Sequence, residues 1–216
     1  MNFLDFLFPK HCYGCRQLGS YLCETCRKMI LQKGEWSVSY KAFPFARRVV
    51  VTQYRGVVRK LLLDFKYNYT KAVADDLSQV VTDFLLAQKV TLPKAAVLVP
   101  VPMYWHKENT RGFNQVAEMG KLVAQKMNWD YCPDLLIKAK PTAPQAKLDK
   151  SARLNNLSGS FKYNSGSPIG SGMTPKTEST LILFDDVVTT GTTLREAGMV
   201  LREAGFKNLL ALVLSG

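Results

Sequence analysis

The chain of 216 residues is short of four things. No apolar run approaches the ~18 to 20 residues that cross a bilayer, so no membrane span is expected. The opening MNFLDFLFP has neither the basic start nor the small-residue cleavage site of a secretory signal, which points to the cytoplasm. Its apolar residues read as a short segment docked on the body of the protein. There is no G-x-x-x-x-G-K-[ST] string, so a phosphate site here is not that of a nucleotide-triphosphate loop. Acids are scarce: 17 Asp and Glu face 29 Lys and Arg, a formal net charge of +12. The scarcity is local, with 12 basic residues against 4 acids in residues 1–70 but 6 against 5 in residues 151–216. A basic surface draws polyanions at long range without choosing among them, so nucleic acid and phosphorylated metabolites both remain open as partners.

What is present is globular. Hydrophobic residues make up 47% and charged residues 21%, and the length suits one α/β domain with a small appendage. RRVVVTQY from Arg47 reads as a strand, and Val57, Val58, Leu61, Leu62 and Phe65 recur at helical spacing. A second helix fits Val73 to Leu85, and a buried strand fits Ala95 to Val101. Helical spacing returns from Phe113 to Met127. Short strands are expected at Leu135–Lys138 and Ser158–Tyr163, a loop at Asn164–Ser179, then a strand Leu181–Phe184, a helix closed by Gly205 and a last strand Leu209–Leu214. Strands alternating with helices predict a mainly parallel sheet with helices on both faces.

Four of the five cysteines fall in one short segment. Cys12 and Cys15 form one C-x2-C pair and Cys23 and Cys26 another. Four thiolates at this spacing close a tetrahedral zinc site, and a reducing cytosol disfavours two disulfides. With every position filled by sulfur, the metal holds a small fold together and performs no chemistry. The spacer between the pairs is short, which predicts a compact knuckle, with Gly14 supplying its tight turn. The organisation expected is a zinc-binding module over residues 1–35 and an α/β domain over residues 36–216.

The segment LILFDDVVTTGTT, Leu181 to Thr193, places an apolar strand, two acids, a Thr/Gly loop and a helix start in succession. At the carboxyl end of a parallel strand such a loop faces the binding crevice, and the following helix offers unpaired backbone N–H groups to an anion. Thr189, Thr190, Thr192 and Thr193 add hydroxyl donors, while Gly191 lets the backbone turn and approach closely. Asp185 and Asp186 suit ribose hydroxyls and a hydrated magnesium better than they suit phosphate.

This string resembles the signature of the type I phosphoribosyltransferases, and the whole arrangement is similar to the ComF family, which joins an N-terminal zinc module to such a domain. Lys66-Tyr67, Val99-Pro100-Val101-Pro102, Arg111-Gly112-Phe113-Asn114-Gln115, Thr142 to Leu148 and Arg153 to Phe161 fall in that family's order. The resemblance implies a type I phosphoribosyltransferase-like fold that binds phosphoribosyl pyrophosphate with magnesium. Asp185 and Asp186 would serve the ribose and the metal, and Thr189, Thr190, Gly191, Thr192 and Thr193 the 5-phosphate. Pro100 and Val101, with Lys66, would meet the pyrophosphate. Lys107 and Arg111 are candidates for the same anion. Gln145 and Arg153 would sit in a flexible loop that closes over the substrate. Relatives acting on 6-oxopurines carry an acid where Thr189 stands, so a different acceptor is expected.

Two functions follow. The first is an enzyme, a glycosyltransferase of the pentosyl-transferring class. The second is a non-catalytic role, since the family is associated with competence: handling single-stranded DNA beside the DNA-uptake machinery. Aromatic residues interleaved with Arg and Lys in the N-terminal third, among them Tyr40, Phe43 and Tyr54, suit base stacking.

Overall fold

The computed structural model describes residues 9–33, 36–40, 42–67, 71–87, 92–139, 159–168 and 175–216. The apolar opening, Gln145 and Arg153 lie outside them. In chain order the elements are α1 (Glu24–Gln32), β1 (Ser37–Tyr40), β2 (Arg47–Thr52), α2 (Gly56–Tyr67), α3 (Lys71–Ala87), β3 (Val97–Pro100), α4 (Trp105–Arg111), α5 (Gln115–Met127), β4 (Asp130–Tyr131), β5 (Leu136–Lys138), β6 (Phe161–Tyr163), β7 (Thr180–Val187), α6 (Thr192–Glu203) and β8 (Asn208–Ser215).

Six strands form one sheet in the order β1-β2-β8-β7-β3-β4. All neighbours run parallel except β1, which pairs antiparallel with β2 at the edge. β5 and β6 make a separate antiparallel pair. The expected mainly parallel α/β sheet and the N-terminal four-cysteine cluster are therefore both present.

β7 is central because its residues are apolar on both faces, as a strand covered on both sides requires. Alternation sends Ile182 and Phe184 into a core shared with α2, α3 and α5. Leu181 and Leu183 enter the opposite core with Leu194, Ala197 and Leu201 of α6. The helices reach these cores through the stripes that the sequence spacing predicts, for instance Val58, Leu61, Leu62 and Phe65 on α2.

The connection after β3 leads away to β4, whereas the connection after β7 leads the other way to β8. The crossovers use opposite faces of the sheet, α5 on one and α6 on the other. Between the carboxyl ends of β3 and β7 the chain thus opens a topological switch point, where open α/β sheets form a crevice.

Three differences from the expectation have local causes. β7 continues through Asp185 and Asp186 to Val187, because its ladder with β8 continues through Asp185↔Val213 and Val187↔Ser215. The predicted helix Phe113–Met127 begins at Gln115, after the separate short α4, because Asn114 caps it by accepting from the N–H groups of Val116 (3.0 Å) and Ala117 (3.3 Å). β1 and β4, four and two residues long, are too short to leave a periodic signature.

Candidate functional site

The switch-point crevice has a volume of about 360 Å3 and is lined by residues from five parts of the chain. Lys66 ends α2, Val101 to Tyr104 follow β3, Arg111 to Val116 join α4 to α5, Lys138 ends β5, and Asp185 to Leu194 span the end of β7 and the start of α6. Of the residues named from sequence, Lys66, Val101, Arg111, Asp185, Asp186, Thr189, Gly191, Thr192 and Thr193 line it. Pro100 does not; it is buried in the β3 ladder opposite Phe184. Thr190 faces a neighbouring cavity, and its hydroxyl lies 2.8 Å from that of Thr192.

Because β7 runs on through the two acids, they point to opposite faces and have different neighbours. Asp186 lies on the α2 and α5 side. Its Oδ2 accepts from Lys66 Nζ at 3.1 Å and from Gln115 Nε2 at 3.1 Å. Gln115 in turn accepts from Arg111 Nη1 at 2.9 Å, so Arg111 is bonded to a neutral amide rather than to an acid. Asp185 accepts the backbone N–H of Asp186 at 2.9 Å and has no ion pair among the described residues. Only 8% of Asp185 and 7% of Asp186 is exposed. Burial, and after it the charge of Asp186, hold the Asp185 carboxyl well above the usual carboxylate range.

Sequence reasoning did not assign a role to Gln115. The signal was there: Gln115 precedes Met119 and Val123 on one helical face, and a polar residue at an apolar spacing either finds a buried partner or costs stability.

The phosphate-loop segment curls back from β7 to start α6. Gly191 has φ 75°, and a Cβ there would lie 3.0 Å from Arg48 Nη1. Glycine is needed both for the left-handed turn and for the arginine stacked beside it. The first N–H groups of α6 have no intrahelical acceptor and flank the crevice.

The second site is the cysteine cluster. The ligand atoms of Cys12, Cys15, Cys23 and Cys26 all lie within 4.8 Å of one another. A tetrahedral zinc with Zn–S bonds of ~2.3 Å separates its sulfurs by about 3.8 Å, so the donor set fits that ion in number, chemistry and size. Burial and the hydrogen bonds of the neighbouring thiols push the Cys26 thiol up to about 12. Gly14 matters here through close approach, since a Cβ on it would meet Cys26 Sγ at 2.6 Å.

The knuckle is fastened to the body. Asp76 of α3 accepts the N–H of Leu22 at 2.9 Å, Arg27 pairs with Asp83 of α3, and Cys12, Cys23 and Cys26 share a core with α2 and α3.

Comparison with known proteins finds relatives along most of the chain. Competence protein F of Haemophilus influenzae is 24% identical over 206 residues, which are 94% of this chain and 82% of that protein. The chain is a homologue of Competence protein F. DNA utilization protein YhgH of Escherichia coli K12 is 26% identical over 164 residues, covering 75% of this chain and 68% of that protein. No family model matches. Among solved structures, adenine phosphoribosyl transferase from Trypanosoma brucei, in complex with AMP, pyrophosphate and ribose-5-phosphate, is 17% identical with a TM-score of 0.36. The match spans 86% of this chain and 64% of that one. The α/β architecture is shown by the strand order of the chain itself. No helix among the described residues is long and apolar enough to cross a membrane.

Proposed function

We propose that this homologue binds phosphoribosyl pyrophosphate with magnesium in the switch-point crevice and transfers or handles phosphoribosyl groups in the cytoplasm. One observation carries the reading: two buried acids at the end of β7 stand between a Thr/Gly helix start and two cations, Lys66 and Arg111. Backbone N–H groups of the Thr189 to Thr193 loop, with the hydroxyls of Thr189, Thr192 and Thr193 that line the crevice, suit a terminal phosphate. Lys66 and Arg111 suit a pyrophosphate, whose charge grows as it leaves and is stabilised by donors already in position. Asp186, held by Lys66 and Gln115, is oriented for ribose hydroxyls. Asp185 is a buried carboxyl with no ion pair among the described residues, an environment that fits a bound cation; magnesium would supply charge neutralisation for the leaving group. The acceptor reading remains the one Thr189 gives, a nitrogen nucleophile other than a 6-oxopurine. In this proposal residues 1–35 form the zinc-dependent structural module and residues 36–216 the binding domain. Gln145 and Arg153, outside the described residues, are proposed as substrate contacts.

Calorimetric titration of the zinc-loaded protein with phosphoribosyl pyrophosphate tests it. Binding should require magnesium, and Asp185→Asn with Asp186→Asn should weaken it by about a hundredfold, or ~2.7 kcal/mol, with the fold retained. Equal affinity in the double variant would remove the reading.

A second reading is favoured by charge and kinship: a non-catalytic accessory that binds single-stranded DNA in competence or DNA uptake. The relatives are named for competence and DNA utilization. Arg59 and Lys60 are exposed on α2, and Arg47 and Arg48 are half-buried on β2. Affinity for a strand should then fall steeply with added salt.

A further inference from the structure

Beside the crevice, on the other side of the phosphate-loop segment, lies a second cavity of about 320 Å3 lined by Ala42, Phe43, Phe45, Arg48, Thr190, Gly191, Thr192, Leu194 and Arg195. Its size is that of a small ligand site. It has two cations in its wall and no carboxylate. Arg48 Nε is buried and has no hydrogen-bond partner among the described residues. A buried donor left unpaired destabilises the fold, so an acceptor arriving there recovers free energy. Among the described residues neither Arg48 nor Arg195 forms an ion pair. Thr190 and Thr192 place hydroxyls at the same wall, 2.8 Å apart, and the α6 N-terminus lies behind them. The opposite wall is aromatic: Phe45 is buried, while Phe43 is 68% exposed.

We propose that this outer cavity binds a nucleotide unit, its phosphate on Arg48, Arg195 and the Thr190 hydroxyl and its base against Phe43. A fork of guanidinium donors fits a phosphate, and a solvent-facing phenyl ring beside cations fits a base. An isolated phosphate would leave Phe43 exposed to water, whereas a base covers it. The site is distinct from the proposed donor crevice, with which it shares only Gly191, Thr192 and Leu194. The inference gives the strand-binding reading a location and rests on that reading only for one of the two sources of the ligand, a nucleic-acid strand or a free mononucleotide.

The test uses the full-length zinc-loaded protein and two probes, thymidine 5′-monophosphate by calorimetry and a short fluorescein-labelled oligothymidylate by anisotropy. Arg48→Gln with Arg195→Gln should weaken whichever probe the protein binds by about tenfold or more, and Phe43→Ala should weaken it by about tenfold, the scale of one lost stacking contact. Circular dichroism and zinc content establish that each variant is folded; Arg195→Gln alone, at an exposed position, provides a fallback if Arg48 proves necessary for the loop. Loss of both probes in the variants supports a nucleotide site that also accepts a strand. Loss of the mononucleotide alone, with no strand binding by the parent protein, supports the site and removes the strand reading. Strand binding that is unchanged in all three variants overturns the site and leaves the strand reading to another surface. If the parent protein binds neither probe, the proposal is overturned.

Discussion

The cysteine knuckle and the switch-point crevice both gather ionisable side chains from separated positions, yet they are built to opposite rules. In the knuckle four sulfurs enclose a space the size of one ion, three of the cysteines are buried, and no position is open to a further ligand. In the crevice the charges are mixed in sign and unevenly paired: Asp186 is satisfied by Lys66 and Gln115, Asp185 has no ion pair among the described residues, and Arg111 is bonded to a neutral amide. A closed donor set stabilises a fold, and an open one leaves interactions for something that arrives. Helix α2 joins the two, since Val57 at its start lies against Gly14 of the knuckle and Lys66 at its end pairs with Asp186.

The sharpest way to break the comparison is to open the closed site. Structural zinc contributes ~10–16 kcal/mol to small zinc modules, comparable with the whole stability of a domain. Here the knuckle is part of the main core, so the loss spreads beyond it. Cys26→Ser, or chelation of the metal, should lower the thermal midpoint by about 10 °C or more, the equivalent of ~4 kcal/mol in a chain of this size. Calorimetric melting of metal-loaded and chelated protein reads this directly. An unchanged midpoint would make the cluster an exposed accessory rather than a structural element.

How each region was legible follows from the same difference. Paired C-x2-C spacing states a tetrahedral site completely, because all four ligands lie within fifteen residues and nothing distant is needed. The strand of β7 and the Thr/Gly turn after it were equally local. The partners of Asp186 were not, because Lys66 and Gln115 lie 120 and 71 residues away in sequence and meet it only through the sheet order. Nor could sequence show that the two acids belong to the strand itself, since that depends on the register of β7 against β8. The fastening of the knuckle to α3 was hidden for the same reason. Charge counting marked the N-terminal third as basic, but only the turn of the phosphate loop brings Arg48 against Gly191.

A smaller change tests that fastening. Asp76→Ala removes the acceptor of the Leu22 N–H, leaving a donor unpaired at a cost of ~1–3 kcal/mol. The midpoint should fall by about 2 to 12 °C while the metal stays bound, measured by melting and by zinc content. Loss of metal together with stability would mean that α3 shapes the knuckle itself, and no loss of either would mean that the core contacts alone fix it.

The smallest expected effect distinguishes a binding group from a stabilising one. Asp185 has a carboxyl pKa raised by burial and by Asp186, so the folded protein holds a proton that the unfolded chain releases near pH 3.9. Where the folded state binds more protons, stability falls as pH rises, here from the unfolded value through the raised one. Without magnesium, the parent protein should therefore lose stability across that window, and Asp185→Asn should flatten the loss, raising the midpoint at neutral pH by about 2 to 4 °C. Urea denaturation of both proteins at a series of pH values measures it. A group that gains stability when its charge is removed, at a position where the charge is needed for binding, is kept for what it binds rather than for what it holds together. A steeper loss in the variant would instead make Asp185 a structural anchor, and the open crevice would then resemble the closed knuckle.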